Sequence, residues 1–165
     1  ALVSNPDPFM RCLLALQGYN RSVLRGNAAV NAGTNDGLFT GREVVLYTDL
    51  VGAELVALLT CDSGVYDIGY LGRPLSDGAV TASMRHSFLL SGAHNVLATL
   101  WSIDIREEAG SLATTSEIIK TFVQKRVGAG MSDDDAIREA VLPHLGKHPH
   151  LWAPYSITWR YRAPN

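Results

Sequence analysis

Residues 54–64, ELVALLTCDSG, decide how the rest of the sequence is interpreted. The run from Leu55 to Leu59 is apolar without alternation, which is typical of a strand covered on both faces of a parallel sheet. It ends in a small polar segment, Thr60-Cys61-Asp62-Ser63-Gly64. Parallel α/β sheets present their functional groups at the carboxyl ends of strands. The stretch therefore predicts an α/β sheet with Cys61 at the tip of one strand.

Outward from this strand, other strand-length runs alternate with segments of helical periodicity. Strands are predicted over residues 11–18, 54–61, 94–101 and 155–161. Helices are predicted after an N-cap at Thr40, over residues 79–90 before Gly92, over 106–127, and from the acidic start at Ser132 to Leu145. Residues 20–37 are predicted to be a loop. The order β, α, β, α, β, α, α, β predicts an α/β fold, with a mainly parallel sheet flanked by helices on both faces in three layers, α/β/α.

Composition limits the function classes. The 165 residues carry 14 basic and 16 acidic side chains, which gives no electrostatic basis for binding nucleic acid or an anionic membrane. No apolar run approaches the roughly 20 residues of a membrane helix. We therefore expect one cytoplasmic domain. No G-x-G-x-x-G or G-K-[ST] motif follows a strand, which disfavours a nucleotide-binding domain, and no cofactor is expected.

The cysteines and histidines are the candidate reactive groups. Cys12 lies inside an apolar run and is expected to pack in the core, whereas Cys61 is expected at a strand tip. A thiol becomes a nucleophile when a nearby base or aligned backbone N–H groups favour its thiolate, and the residues alone supply no obvious base. His144, His148 and His150 form a weak metal-binding pattern without nearby acids, so no metal site is predicted.

Five segments, in order, resemble the CHAT domain family of caspase-like cysteine peptidases, which are related to separase and the caspases. Residues 58–64, LLTCDSG, are similar to the family's L-S-A-C-E-T-G. The others are LLAL at 13–16, DGLFT at 36–40, GAVTASMRHSFLLSGAHNVLATLWSID at 78–104, and HPHLWAPY at 148–155. The resemblance implies a caspase-like fold and cysteine endopeptidase activity, with Cys61 as nucleophile and its own N–H group as an oxyanion donor.

The resemblance also implies partners for this sequence. The family's catalytic histidine lies in a His-Gly segment upstream of the LLAL strand, and residues 1–11 contain no such pair. We therefore expect residues 1–165 to be the C-terminal portion of one CHAT domain. The histidine would come from an upstream part of the same protein, joined to tetratricopeptide repeats.

A protein substrate is expected beside the strand tips, where Asp62, Trp101, Ser102 and Asp104 are the candidate binding residues. Related peptidases use an acid near this loop to select a basic residue. Asp104 also fits a helix cap with Glu107. The alternative function is an inactive caspase-like scaffold for binding or regulation.

Overall fold

The computed structural model describes residues 13–15, 38–59, 83–102 and 111–160. These residues belong to two compact units: residues 13–15, 38–56, 83–96 and 159–160 in the first, and residues 57–59, 97–102 and 111–158 in the second. The elements, in chain order, are β1 (Leu13–Ala15), β2 (Leu38–Thr40), α1 (Gly41–Tyr47), β3 (Leu55–Ala57), α2 (Met84–Leu90), β4 (Asn95–Thr99), α3 (Ser111–Val123), α4 (Asp133–Val141), α5 (Pro149–Trp152) and β5 (Tyr155–Trp159).

In the first unit, β1 and β2 form an antiparallel pair in which Leu14 lies opposite Phe39. The sequence predicts β1 within residues 11–18, whereas no strand is predicted over residues 38–40. The strand and the helix share Thr40, which ends β2 and caps α1. Its hydroxyl accepts a hydrogen bond from Glu43 N (3.2 Å), and its own N–H donates to Glu43 Oε2 (2.7 Å). The predicted N-cap is confirmed, as a complete capping box.

Helices α1 and α2 pack together in the first unit through both apolar and polar contacts. Val44 of α1 is fully buried, and the Ser91 hydroxyl after α2 donates to the Val44 carbonyl at 2.8 Å. Gly92 ends this region with φ of 112°, a conformation that glycine adopts without steric cost. The predicted stop at Gly92 is confirmed. Residues 79–82 of that predicted helix lie outside the described residues, and Ser83 caps the described part.

Strands β3 and β4 run parallel, because their hydrogen bonds advance together along both chains. Asn95 N donates to Glu54 O (3.1 Å), and Leu58 N donates to Leu97 O (2.8 Å). The central strand β4 is buried from Val96 to Thr99, whereas β3 is only partly buried. The apolar run of β3 predicts burial on both faces of that strand. Such burial is seen in β4 but not in β3, which lies at one edge of the described sheet, in the order β3-β4-β5.

Strand β5 runs antiparallel to β4. Leu100 N donates to Pro154 O, and Arg160 N donates to His94 O, so the two chains advance in opposite directions. The described three-stranded sheet is consequently mixed, with one parallel and one antiparallel pairing. The predicted α/β class is confirmed.

The second unit is built around α3 and α4, which pack against each other. Their buried faces carry Ile118, Phe122, Ala136 and Ala140. A π-helical turn, Gln124–Gly128, extends α3, and an Arg126–Asp133 ion pair spans the connection to α4. Residues 106–110 of the predicted helix over 106–127 lie outside the described residues.

Helix α4 begins as predicted and ends earlier than predicted. The Ser132 hydroxyl accepts a hydrogen bond from Asp135 N (3.2 Å), so Ser132 is the N-cap. The α-helix ends at Val141 and continues as a 3₁₀ turn, Leu142–His144. Pro143 accounts for the change, because proline lacks the N–H group that an α-helix interior needs. In the part of the chain that the structure describes, no helix has the length and apolarity to cross a membrane.

Candidate active site

The parallel pairing of β3 and β4 determines where the predicted nucleophile segment starts. Because parallel strands end at the same sheet edge, the chain beyond Leu58 and the chain beyond Thr99 leave from one edge. Leu59, which is half exposed, is the last described residue before Thr60 and Cys61 in the sequence. The described residues thus bring two predicted site segments to one place: the approach to Cys61, and Trp101 with Ser102.

The predicted site residues divide into two groups. Trp101 and Ser102 are described, the first partly buried and the second exposed. Cys61, Asp62 and Asp104 lie outside the described residues, and the predictions for them stay predictions. Cys12, which was expected in the core, lies outside them as well.

Trp101 is held by two contacts from helix α5. Its ring stacks on the His150 ring, with centroids 6.0 Å apart and an interplanar angle of 21°. Its Nε1–H donates to the His150 carbonyl at 3.2 Å. One residue earlier, Leu100 N donates to Pro154 O at 2.8 Å. The chain beyond β4 is therefore attached within α5, at His150, and just after it, at Pro154.

Helix α5 is a single turn that its own sequence stabilises. The His148 side chain caps it by accepting a hydrogen bond at Nδ1 from His150 N (3.2 Å). Pro149 occupies the first turn, where proline's fixed φ favours a helix and its missing N–H costs nothing. Ala153 N closes the turn on Pro149 O at 2.9 Å. No helix was predicted over residues 149–152, so α5 is a correction.

A second set of bonds attaches α5 to α3. Trp152 Nε1 donates to the Lys147 carbonyl at 3.1 Å, and the Lys147 ammonium group donates to Thr114 Oγ1 at 2.8 Å. Helices α3 and α5 also contact each other directly. The contacts that hold Trp101 are consequently connected, through α5 and Lys147, to helix α3 of the second unit.

Among the described residues of this unit, three buried polar atoms have no hydrogen-bond partner: Thr115 Oγ1, His144 Nδ1 and the Tyr155 hydroxyl oxygen. His144 Nε2 lies 3.9 Å from Glu117 Oε2. Burial raises the pKa of the Tyr155 phenol above its ordinary value, and the nearby Thr115 hydroxyl opposes part of that increase. In residues 13–15, 38–59, 83–102 and 111–160, no group of histidine, cysteine and acidic side chains could hold a metal ion.

A comparison with protein families matches the CHAT domain over residues 2–159. This match spans both strand tips and the α5 segment. The chain belongs to the CHAT domain family. The resemblance deduced from five short segments is thereby confirmed over nearly the whole sequence. CHAT domains are related to caspase-like peptidases. Neither a curated protein nor a solved structure matches the chain.

The contacts of α5 in this CHAT domain were not predicted from the sequence. The segment HPHLWAPY was recognised as a family motif, but no function was assigned to His150, Trp152 or Lys147. One local pattern could have indicated the helix: a capping side chain at His148 followed by Pro149 is typical of a helix start. The contact between His150 and Trp101 has no comparable local pattern.

Proposed function

We propose that this CHAT domain is the nucleophile-bearing part of a cysteine endopeptidase, with Cys61 as its nucleophile. One observation carries the proposal: the parallel pairing of β3 and β4 brings the approach to Cys61 and the Trp101–Ser102 segment to the same sheet edge. Such an edge is where α/β folds place their ligands. The family match supports a caspase-like peptidase class for this edge.

The proposed reaction is peptide hydrolysis through a thioester. A general base takes the proton of the Cys61 thiol, and Sγ attacks the scissile carbonyl carbon to form an S–C bond. Backbone N–H groups, including that of Cys61, hold the negative charge that develops on the carbonyl oxygen. The C–N bond then breaks, and the base returns its proton to the leaving amine. Water hydrolyses the thioester, which releases the carboxylate and restores the thiol.

We assign the general base to a His-Gly segment outside residues 1–165. The sequence contains five histidines, and none of them precedes a glycine. In the proposed enzyme, the base comes from an upstream part of the same polypeptide, together with tetratricopeptide repeats. The substrate is a protein segment that lies along the sheet edge. Trp101 and Ser102 line its path, Asp62 follows the nucleophile, and Asp104 is our candidate for selecting a basic residue before the cut.

The test is a pair of cysteine variants in the full-length protein. Cys61→Ala should abolish cleavage of a fluorogenic peptide with arginine before the scissile bond, and labelling by a peptidyl arginine chloromethyl ketone. Cys12→Ala is the matched control and should keep both activities within about 3-fold, because a residue outside the site affects rate only through stability.

Mass spectrometry of labelled peptides identifies the cysteine that reacts. Loss of labelling in Cys12→Ala with retention in Cys61→Ala would reverse the assignment. If the wild-type protein neither cleaves the peptide nor reacts with the ketone, the domain is a scaffold rather than an enzyme.

A further inference from the structure

The ring of His150, in the second unit, combines solvent exposure with an aromatic contact. It is exposed to solvent, yet it stacks on the partly buried ring of Trp101 at a centroid distance of 6.0 Å. An exposed stack excludes little apolar surface from water, so its contribution to folding is small. What the stack does define is the plane of the indole ring.

Two contacts together determine the orientation of Trp101. The hydrogen bond from Nε1 to the His150 carbonyl fixes one edge of the indole, at 3.2 Å, while the ring could still turn about that bond. The imidazole ring, nearly parallel to the indole at 21°, opposes this rotation. A tryptophan side chain has two rotatable bonds, and these contacts constrain both of them.

The support for His150 is itself rigidly built. Pro149 restricts the backbone immediately before it, and the His148 side chain accepts its N–H. Trp152 bonds to the Lys147 carbonyl, and Lys147 bonds to Thr114 of α3. A displacement of Trp101 would therefore require α5 to move relative to α3, or the stack to open.

We propose that His150 is a positioning residue. It fixes the Trp101–Ser102 segment and thereby determines the affinity with which a peptide substrate binds for attack by Cys61. This inference rests on the proposed peptidase function and goes beyond it, because it assigns a role in substrate acceptance to a side chain of α5. His150 takes no part in proton transfer in this proposal. It acts through Trp101 on peptide binding, and the intrinsic reactivity of the thiol does not depend on it.

Two electrophiles of different size test this inference in the full-length protein. Iodoacetamide reports the reactivity of the Cys61 thiol, and a peptidyl arginine chloromethyl ketone reports reactivity combined with peptide binding. We compare the ratio of their second-order rate constants at Cys61, measured by mass spectrometry. His150→Ala should lower the peptide-to-iodoacetamide ratio by about 2- to 12-fold. This is the fold-change in binding that corresponds to the interaction energy of one aromatic pair.

The variant His150→Phe keeps an aromatic ring and should restore the ratio to within about 2-fold of wild type, because its ring can occupy the same stack. Trp101→Phe, which keeps a ring and loses the Nε1–H donor, should also lower the ratio. Peptide hydrolysis should show the same effect as an increase in KM, with kcat nearly constant. Tyr47→Ala is the matched control, since it removes an exposed aromatic ring from α1, and should leave the ratio unchanged.

An unchanged ratio in His150→Ala would overturn the positioning role, while the proposed peptidase function would stand if the ketone still labels Cys61. Equal losses with both electrophiles, not restored by His150→Phe, would also overturn it, because they would indicate a general structural defect. Failure of the ketone to label wild-type Cys61 would refute the proposed function, and the inference with it. If His150→Ala does not fold, His150→Gln, which keeps polarity and length without a ring, decides the question by the same ratio.

Discussion

At the scale of single residues, Gly92 is the position where the backbone most strictly limits the side chain. Its φ of 112° lies in a region that other residues rarely adopt, and an added Cβ would lie 2.7 Å from Val51 N. Both the strain and the close backbone contact oppose any side chain. Gly92→Ala should therefore reduce the free energy of unfolding by about 2 kcal/mol or more, measured by urea denaturation.

Gly52 provides the matched control for this prediction. A Cβ at Gly52 would meet nothing within 4 Å, although the residue is next to Val51 in sequence. Gly52→Ala should change the free energy of unfolding by less than about 1 kcal/mol, and the effect of a compatible alanine is more often stabilising. If both variants lost the same free energy of unfolding, the close contact with Val51 would not be the cause of the destabilisation.

At the scale of elements, the capping box of α1 stabilises the point where strand β2 becomes a helix. Thr40→Ala removes the side-chain acceptor for Glu43 N at a buried position. We expect a loss of about 1 to 2 kcal/mol in the free energy of unfolding, measured by thermal or urea denaturation. Thr40→Ser keeps the hydroxyl and should retain most of this stability. A serine variant as unstable as the alanine variant would attribute the effect to the lost methyl group instead.

The elements predicted from sequence are those whose cause is local. Thr40 and Ser132 mark helix starts because their side chains bond to N–H groups three residues later, and Gly92 marks an end because of its own backbone. Strand β2 was missed because its three residues are defined by pairing with β1, which is distant in sequence. Helix α5 was missed because four residues are too few to show a helical period.

In the candidate site too, features with a local cause were predicted and a contact between distant residues was not. Apolar runs indicated that β3 and β4 share a sheet, and the family motifs indicated that Cys61 and Trp101 lie near its edge. The partner of Trp101 could not be predicted, because His150 is 49 residues further along the chain and neither periodicity nor capping relates the two. Propensity describes neighbours in sequence, whereas this contact depends on how α5 packs on α3.

At the scale of the whole molecule, the remaining question is which histidine activates Cys61. All five histidines of the sequence are described, and their surroundings argue against this role for three of them. His94 belongs to the first unit, whereas Trp101 and the described approach to Cys61, residues 57–59, belong to the second. His144 is buried with Nε2 directed to Glu117, and His86 lies within α2.

The last prediction follows from this placement. In the full-length protein, His86→Gln, His94→Gln and His144→Gln should each leave peptide hydrolysis within about 5-fold of wild type, whereas replacing the histidine of an upstream His-Gly segment should lower kcat by about 10² to 10⁴-fold. The pH dependence of Cys61 alkylation by iodoacetamide distinguishes the two cases, because only loss of the base should move its inflection to the pKa of an ordinary, unpaired thiol. A 10²-fold loss in any one of the three variants, with folding intact by circular dichroism, would place the base within residues 1–165 and refute our assignment. The thiol and its base would then belong to one continuous segment, and the peptidase site would be complete without an upstream partner.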